Sequence, residues 1–420
     1  MIKLNSISSF WKSVGVLVLG TGGAQVINLL CYPILSRLFN PDQFGVLATF
    51  MSVVSIFTVI ATGQYEKSIV ISNSNKEAIN VISLVLLFLV GASIVYWFLL
   101  YILQGVIFVL IENVLLRRWL WLVPIVGINI SIYNCFNEWC VKNRLFRKLS
   151  ANKLWNAVHV SGLKVILGVF QFSSLGLLYG ELGGRFFSAV GAMNRFFRHK
   201  RSLVFLSSIS LKSIFSVHLK HFDFPKLMLP AVLLDSFVLQ LPILFITFYF
   251  GSTSCGHFSM ALMLLSVPST VVGVAIGDVF RQTAIQEYRR YGAFDSFVRT
   301  TLKKLLLFTI PLLLFSMFFI PFFIPFFLGE EWYLSGVYAA LVLPYTACNF
   351  LNNVVNSVFV ITQRFKEWLW IRIFTLFSFV LGLFLGGAYF KDMFVTVILY
   401  SLLGIISNIV IIFLSVKYSK

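Results

Sequence analysis

Residues 78–102 read AINVISLVLLFLVGASIVYWFLLYI, a run without a single charged side chain. A helix rises about 1.5 Å per residue and the hydrocarbon core of a bilayer is about 30 Å thick, so a run of this length is long enough to cross it. Lys76 and Glu77 lie directly before the run. The stretch therefore predicts a transmembrane helix.

The composition of the whole chain agrees with this stretch. The 420 residues are 59% hydrophobic and only 11% charged, whereas soluble chains contain about 45–50% apolar and about 25% charged residues. Apolar runs bounded by charges or turn formers predict about twelve membrane helices, so the predicted fold class is an all-α integral membrane protein. The predicted limits are 13–36, 44–65, 78–102, 118–140, 151–172, 175–194, 227–250, 257–280, 302–327, 333–361, 367–390 and 393–416.

The net charge of +18 could indicate a nucleic-acid partner, but the placement of the basic residues indicates membrane topology instead. With the N-terminus in the cytoplasm, 26 of the 33 Lys and Arg residues fall in cytoplasmic segments, four fall on the opposite side and three lie inside spans. This asymmetry predicts cytoplasmic N- and C-termini and no nucleic-acid partner. The first apolar run has no clear cleavage site, and we predict a retained span.

The longest basic loop, 195–226, divides the spans into two sets of six. We predict an N-terminal lobe, 1–222, in which this loop begins, and a C-terminal lobe, 223–420. Within the loop, Ser202–Phe222 mixes large apolar residues with lysine and histidine, which predicts an amphipathic helix on the anionic cytoplasmic leaflet. A second short stretch, Gln104–Leu116, is predicted as an interfacial helix in an outer loop.

A faint internal repeat accompanies the two halves. Phe44-Gly45 opens the second predicted span and, 211 residues later, Cys255-Gly256 opens the eighth. Small residues at these positions would let helices approach closely.

The sequence has no motif of a common enzyme active site. GxxxxGK[ST], HExxH and GxSxG are all absent, which argues against ATP hydrolysis, zinc proteolysis and serine hydrolysis. His218 and His221 could form a metal pair, but a solvated basic face near lipid headgroups is the simpler interpretation. The five cysteines lack CxxC spacing and are typical of buried hydrophobes. We therefore expect no enzymatic activity, no metal and no cofactor.

Three charges inside predicted spans are the sharpest functional signal. Each costs roughly 2.5–3.5 kcal/mol at a helix centre on insertion scales. Lys164 of the fifth span and Glu181 and Arg185 of the sixth flank a short turn, and folding the hairpin brings Lys164 level with the other two. Glu181 and Arg185 are also an i, i+4 pair. The three predict one site of net charge +1, either a cavity wall that holds an anion or a structural cluster.

Other polar residues inside or at the ends of spans have two readings each. Asp235 lies in the seventh span and is either a coupling site for a proton or cation or a buried structural carboxyl. Arg372 is either a substrate contact or a snorkelling side chain. A face of asparagines is either the wall of a sugar-binding cavity or a set of interhelical hydrogen bonds. Its members are Asn349, Asn352, Asn353 and Asn356.

Four passages carry a family resemblance. They are PILSRLFNPDQFG at 33–45, GQYEKSIV at 63–70, EWCVKNRLFRKL at 138–149, and the Pro and Gly pattern of 224–282. Together they resemble the Wzx-type polysaccharide and O-antigen flippases of the multidrug/oligosaccharidyl-lipid/polysaccharide exporter superfamily. Residues in matching motifs are Arg37, Tyr65, Glu66, Arg281 and Gln282.

The resemblance implies a V-shaped, alternating-access transporter of two six-helix lobes in the bacterial inner membrane. The implied substrate is an undecaprenyl-diphosphate-linked oligosaccharide, moved from the cytoplasmic to the periplasmic leaflet. A cationic cavity would hold it, with Lys164, Arg185, Arg37, Arg281 and Arg372 as candidates. A proton or sodium counter-ion is implied, with Asp235, Glu181 and Glu66 as candidate coupling or structural acids. Further expected partners are membrane lipids and the polymerase and chain-length regulator of the same pathway.

Two rival functions remain. A drug or small-cation exporter of the same superfamily would need an acidic lumen for its cationic substrates, whereas the unpaired charge inside the predicted spans is basic. A membrane-embedded polysaccharide polymerase or ligase would have a sizeable periplasmic loop bearing Arg or His, whereas the longest predicted outer loop, 103–117, is mostly apolar.

Overall fold

A computed structural model describes residues 2–111, 113–197, 209–268 and 273–420, and within these ranges the chain forms helices and no strands. The predicted all-α fold is therefore confirmed. The first eight helices are α1 Ile2–Leu38, α2 Pro41–Thr62, α3 Ser68–Ile71, α4 Asn75–Leu110, α5 Val114–Trp119, α6 Val123–Lys142, α7 Phe146–Val169 and α8 Ser173–Phe197. The others are α9 Leu211–Lys220, α10 Leu229–Pro268, α11 Val274–Tyr291, α12 Asp295–Leu328, α13 Tyr333–Val355, α14 Ser357–Ile361, α15 Phe365–Phe384 and α16 Met393–Tyr418.

Eight helical stretches within the described ranges are long and apolar enough to cross a membrane. They are Pro41–Thr62, Asn75–Val109, Val114–Lys142, Phe224–Val267, Asp295–Leu328, Glu330–Ile361, Lys366–Phe390 and Met393–Tyr418. Helices α1, α7 and α8 match the predicted first, fifth and sixth spans but are not among the eight. The charges that α7 and α8 contain lower their hydropathy.

One predicted boundary is wrong, and another is confirmed. Gln104–Leu116 is not a separate interfacial helix, because α4 continues without a break to Leu110 and only the short α5 follows. The separation predicted between the seventh and eighth spans is confirmed, because Gly251, whose φ of 80° and ψ of 173° lie outside the helical region, divides α10 into two helical parts. The eighth predicted span also includes residues 269–272, which lie outside the described residues.

The chain forms two compact units by residue contacts. Unit 1 contains residues 1–39 and 50–236, and unit 2 contains residues 40–49 and 237–420. Helices α2 and α10 each contribute residues to both units. The proposed lobes, 1–222 and 223–420, remain a proposal based on hydropathy.

In unit 1, α7 and α8 pack with their backbones in contact. Gly176, Gly180, Gly184 and Ser188 recur every four residues and form one stripe of small residues along α8. A Cβ added at Gly180 would lie 2.8 Å from the Cα of Lys164, and one added at Gly184 would lie 2.4 Å from the Cα of Val160. Side chains larger than hydrogen at these positions would push the two helices apart.

Helix α9 in the linker packs against α4 within unit 1. Ile214 and Val217 are buried, Lys220 Nζ and His221 Nε2 lie 2.6 and 2.9 Å from Glu77 Oε1, and His218 Nδ1 lies 2.7 Å from the hydroxyl of Tyr65. The two histidines are therefore not a solvated basic face, because each ring is bonded to a neighbouring element. Residues 198–208, which include the first third of the predicted amphipathic segment, lie outside the described residues.

In unit 2, the start of α2 contacts α10 just after Gly251. A Cβ added at Gly45 would lie 2.8 Å from the N of Gly256, and one added at Gly256 would lie 3.1 Å from the N of Gly45. The carbonyl oxygen of Ser252 lies against Gly45, and the carbonyl oxygen of Pro41 lies against Gly256. Both pairs are 211 residues apart, so the close approach predicted for the faint repeat is confirmed.

Candidate functional site

The candidate site is a buried triad of charges between α7 and α8. Lys164 Nζ forms an ion pair with Glu181 Oε2, and Arg185 Nε donates to Glu181 Oε1 at 2.8 Å. The side chains of Lys164, Glu181 and Arg185 are 14%, 4% and 26% exposed. The structure thus brings together the three residues that the hairpin argument placed level with each other.

The glycine stripe of α8 explains why the triad can form. Gly180 precedes Glu181 and lets α8 lie directly against the backbone of Lys164. A lysine side chain emerging at this contact reaches the carboxylate without spanning a gap. The i, i+4 spacing then places Arg185 on the other oxygen of the same carboxylate.

The charge balance of the triad is positive. Within the described residues, no second carboxylate lies within ion-pair distance of Lys164 or Arg185. One cation would be enough to neutralise Glu181, and a second one adds a desolvation cost that structure alone does not require. The bond from Arg185 uses Nε, so its two terminal nitrogens remain for another acceptor. The arrangement can hold an anion.

Neutral polar groups continue from the triad along α7 and α8. Ser161 Oγ donates to Asn28 Oδ1 of α1 at 3.0 Å, and Ser188 Oγ lies 3.4 Å from His159 Nδ1. Such groups can solvate a polar ligand inside a bundle.

The other predicted cations do not join the triad. Arg37 is exposed at the end of α1. Arg281 on α11 and Arg372 on α15 both belong to unit 2. Arg281 is exposed, and Arg372 Cζ lies 4.3 Å from the centroid of the Trp368 ring. Their assignment to a cationic cavity stays a prediction.

The two other predicted acids lie in unit 1, away from the triad in sequence. Glu66 is buried in a short turn after Gln64, whose φ of 59° is left-handed, and its Oε2 has no hydrogen-bond partner within the described chain. Asp235 is partly buried in the first part of α10. Their roles in coupling also remain predictions.

The asparagines of the α13 face do not all fit one interpretation: one forms an interhelical hydrogen bond, and three remain candidates for a sugar-binding wall. Asn352 is buried, and its Nδ2 donates to Asn408 Oδ1 of α16 at 2.9 Å, which is an interhelical hydrogen bond. Asn353 is exposed, and Asn349 and Asn356 are partly buried, so these three remain candidate sugar contacts.

Arg195 is a further, partly buried cation that the sequence pattern does not distinguish from the other cytoplasmic charges. Its Nε donates to Asn152 Oδ1 at 2.5 Å, and Asn152 Nδ2 donates to Asn137 Oδ1 at 2.8 Å. The signal that could have found it is the series of asparagines near the ends of α6 and α7, because buried amides in membrane helices usually have partners. Within the described residues, no group of three or more His, Cys, Asp or Glu is placed to hold a metal ion.

Comparison with known proteins gives a family and a fold. The family described as Polysaccharide biosynthesis protein matches residues 34–337. No curated protein matches. Among solved structures, the inward-facing conformation of a multidrug resistance MATE family transporter of the MOP superfamily has a TM-score of 0.70 at 16% identity, covering 95% of this chain and 97% of that chain.

Two further structures share the fold. The lipid II flippase MurJ in an inward closed conformation has a TM-score of 0.69 at 14% identity, covering 96% of this chain and 87% of that chain. A MOP superfamily transporter from Pyrococcus furiosus has a TM-score of 0.57 at 14% identity, covering 96% and 94%. With the MOP fold over nearly its whole length and a family match over most of it, the chain belongs to the Polysaccharide biosynthesis protein family.

Proposed function

We propose that this protein is a flippase for an undecaprenyl-diphosphate-linked oligosaccharide, the repeat unit of an O-antigen or capsule. It would move this lipid from the cytoplasmic to the periplasmic leaflet of a bacterial inner membrane, with both termini in the cytoplasm, and would not act as an enzyme. The observation that carries the proposal is the surplus cation of the Lys164–Glu181–Arg185 triad. Family membership and the lipid II flippase among the structures of this fold support the substrate class.

The chemistry of the substrate fits the triad. A diphosphate cannot enter the hydrocarbon core unless fixed cations and polar groups replace its water. Arginine binds phosphate with two parallel N–H groups, and the terminal nitrogens of Arg185 are not used by Glu181. Glu181 holds both cations in position while the phosphate is absent. The polyprenyl tail can stay in lipid during the passage, because only the headgroup needs a polar environment.

The proposal also includes an energy source for transport and a residue that couples to it. A proton or sodium gradient would supply the energy, since the sequence has no phosphate-binding loop for ATP. Glu66 is the better-placed acid for a proton, because Glu66 is buried whereas Asp235 is only partly buried, and a neutral carboxyl tolerates a buried environment. The polymerase and chain-length regulator of the pathway would act on the product.

The test is rescue of a deletion strain by Arg185→Ala, Lys164→Ala and the double variant. Each single change leaves Glu181 with one cation and no surplus charge, so we expect surface polysaccharide to be lost and lipid-linked oligosaccharide to collect on the inner leaflet. Arg147→Ala is the matched control, because Arg147 is an exposed arginine at the start of α7. Immunoblots of membranes should show equal amounts of the two single variants and the control. The polysaccharide of the double variant, which leaves buried Glu181 without a cation, is normalised to the amount of protein in the membrane.

Two results would count against the proposal. Normal polysaccharide with the double variant would show that the triad does not serve transport. Loss of polysaccharide with the lipid-linked repeat unit already on the outer leaflet would instead indicate a polymerase or ligase.

A further inference from the structure

Arg195 lies in the last turn of α8 and is only partly exposed. Among the described residues, its side chain makes one hydrogen bond, from Nε to Asn152 Oδ1 at 2.5 Å. Its Nη2 is buried with no hydrogen-bond partner in the described chain. A guanidinium has five N–H groups. The Arg195 guanidinium is held in place through Nε, and the N–H groups of Nη2 are available to a further acceptor.

The charge of Arg195 has no carboxylate partner among the described residues of unit 1. None of the ion pairs within the described residues of unit 1 includes it. Around it, Asn152 is neutral and buried, and a Cβ added at Gly191 would lie 3.2 Å from Nη2. The charged neighbour is another cation, Lys148, whose Nζ donates to the carbonyl oxygen of Arg195 at 3.4 Å. The C-terminal end of α8 favours a cation at this position, but it leaves the donors of the guanidinium unused. An anion is the missing partner.

Arg195 and the triad lie on the same helix. Ten residues separate Arg185 from Arg195, which is about 15 Å along α8. Between them, Ser188 Oγ lies 3.4 Å from His159 Nδ1 of α7. Helix α8 therefore carries two cationic levels, one that contains a carboxylate and one that does not, joined by neutral polar groups. The topology predicted from the sequence places Arg195 at the cytoplasmic end.

We infer that Arg195 is a second anion site, which receives a phosphate-bearing lipid headgroup on the cytoplasmic side before the headgroup reaches the triad. Asn137 and Asn152 position the guanidinium, and Gly191 leaves room for it. The inference rests on the proposed function, because it makes Arg195 the first of two sites for the same diphosphate. The absence of an acid suits a receiving site, since the incoming phosphate meets no competing carboxylate.

Binding to the purified full-length protein in phosphatidylcholine nanodiscs tests the site. The probes are undecaprenyl diphosphate without sugar and, separately, phosphatidylglycerol, which carries a phosphate but belongs to the bulk membrane. The variants are Arg195→Gln and the matched control Arg147→Gln, an exposed arginine on the same predicted side. We expect Arg195→Gln to weaken undecaprenyl diphosphate binding about tenfold or more, because a charge-assisted contact is lost, and Arg147→Gln to change it less than twofold.

A second variant keeps the test independent of folding and of net charge. Gly191→Ala retains every charge but places a methyl group against Nη2, so a several-fold loss of undecaprenyl diphosphate binding is expected without loss of protein. Arg195→Lys should restore part of the affinity that Arg195→Gln removes. A purely structural Arg195 would instead lower thermal stability in both glutamine and lysine variants and leave the affinity of the folded fraction unchanged.

The outcomes separate this inference from the proposed function. Unchanged binding of both probes in Arg195→Gln overturns the inference, even if Arg185→Ala still stops transport. Loss of phosphatidylglycerol binding alone shows a site for bulk lipid and overturns the receiving role. If Arg195→Gln loses the diphosphate while the Lys164 and Arg185 variants transport normally, the anion site stands and the triad proposal fails.

Discussion

Two helix pairs bury polar side chains in contrasting ways. In unit 1, α7 and α8 bury a carboxylate between two cations. In unit 2, α13 and α16 bury amides: Asn352 donates to Asn408, whose own Nδ2 donates to the carbonyl oxygen of Gly404 at 2.9 Å. The amide pair has no net charge, whereas the triad keeps a net charge of +1. Polar groups that only join helices can be neutral, and this contrast supports the proposal that the triad between α7 and α8 binds a ligand.

The side chains packed around the triad are also smaller than those packed near the amide pair. Glycines bring α7 and α8 into backbone contact beside the triad. Beside Gly404, which accepts from Asn408, aromatic rings fill the interface: the ring centroids of Tyr345 and Tyr400 are 5.3 Å apart, and those of Phe379 and Tyr400 are 4.7 Å apart. Rings of this size exclude water and ligand. The amide pair is therefore a closed interface, and the exposed fraction of Arg185 leaves the triad accessible.

The largest effect on stability should follow from removing the shared carboxylate. Glu181→Gln leaves two cations facing each other in a buried place, and breaking a buried pair typically costs about 3–5 kcal/mol. We expect a large fall in the thermal unfolding midpoint of the purified protein and little protein in the membrane. Glu138→Gln is the control, since the Lys67–Glu138 pair is more exposed and such pairs contribute about 1 kcal/mol or less. Equal midpoints for the two variants would contradict the prediction.

A charge-balanced double variant should have an intermediate effect. Glu181→Gln with Lys164→Gln removes one acid and one base, so the net charge of +1 stays and rests on Arg185. We expect the unfolding midpoint to recover most of what Glu181→Gln loses and measurable flipping to remain in reconstituted vesicles. The matched control replaces Glu181, Lys164 and Arg185 all by glutamine. It differs from the double variant only in having lost the remaining cation, Arg185. Equal flipping by both variants would show that net charge is not what the site provides.

Part of this contrast could be predicted from the sequence. The cost of charge in a span identified Lys164, Glu181 and Arg185, and the short turn between α7 and α8 placed them level. The asparagine spacing on α13 indicated a polar face, but the two readings could not be separated, because the partner, Asn408, lies on α16, which is distant in sequence.

Other features depended on contacts that no local pattern encodes. The histidines of α9 looked solvated because their partners, Tyr65 and Glu77, lie more than a hundred residues away. Arg195 looked like one of the cytoplasmic basic residues, because a basic residue at a helix end usually indicates only the membrane topology. Its burial and the bond to Asn152 become visible only when α6, α7 and α8 are packed together.

The smallest effect should come from the amide pair. Asn352→Leu removes the donor to Asn408 Oδ1, and interhelical hydrogen bonds in membrane proteins contribute roughly 1 kcal/mol, so we expect a modest fall in the unfolding midpoint. Replacing both Asn352 and Asn408 by leucine removes both polar groups together, which should cost less than the single change, because no buried amide is left without its partner. Flipping should be normal in both. A loss of flipping in the stable double variant would give the amide pair a role in sugar binding and remove the contrast with the triad.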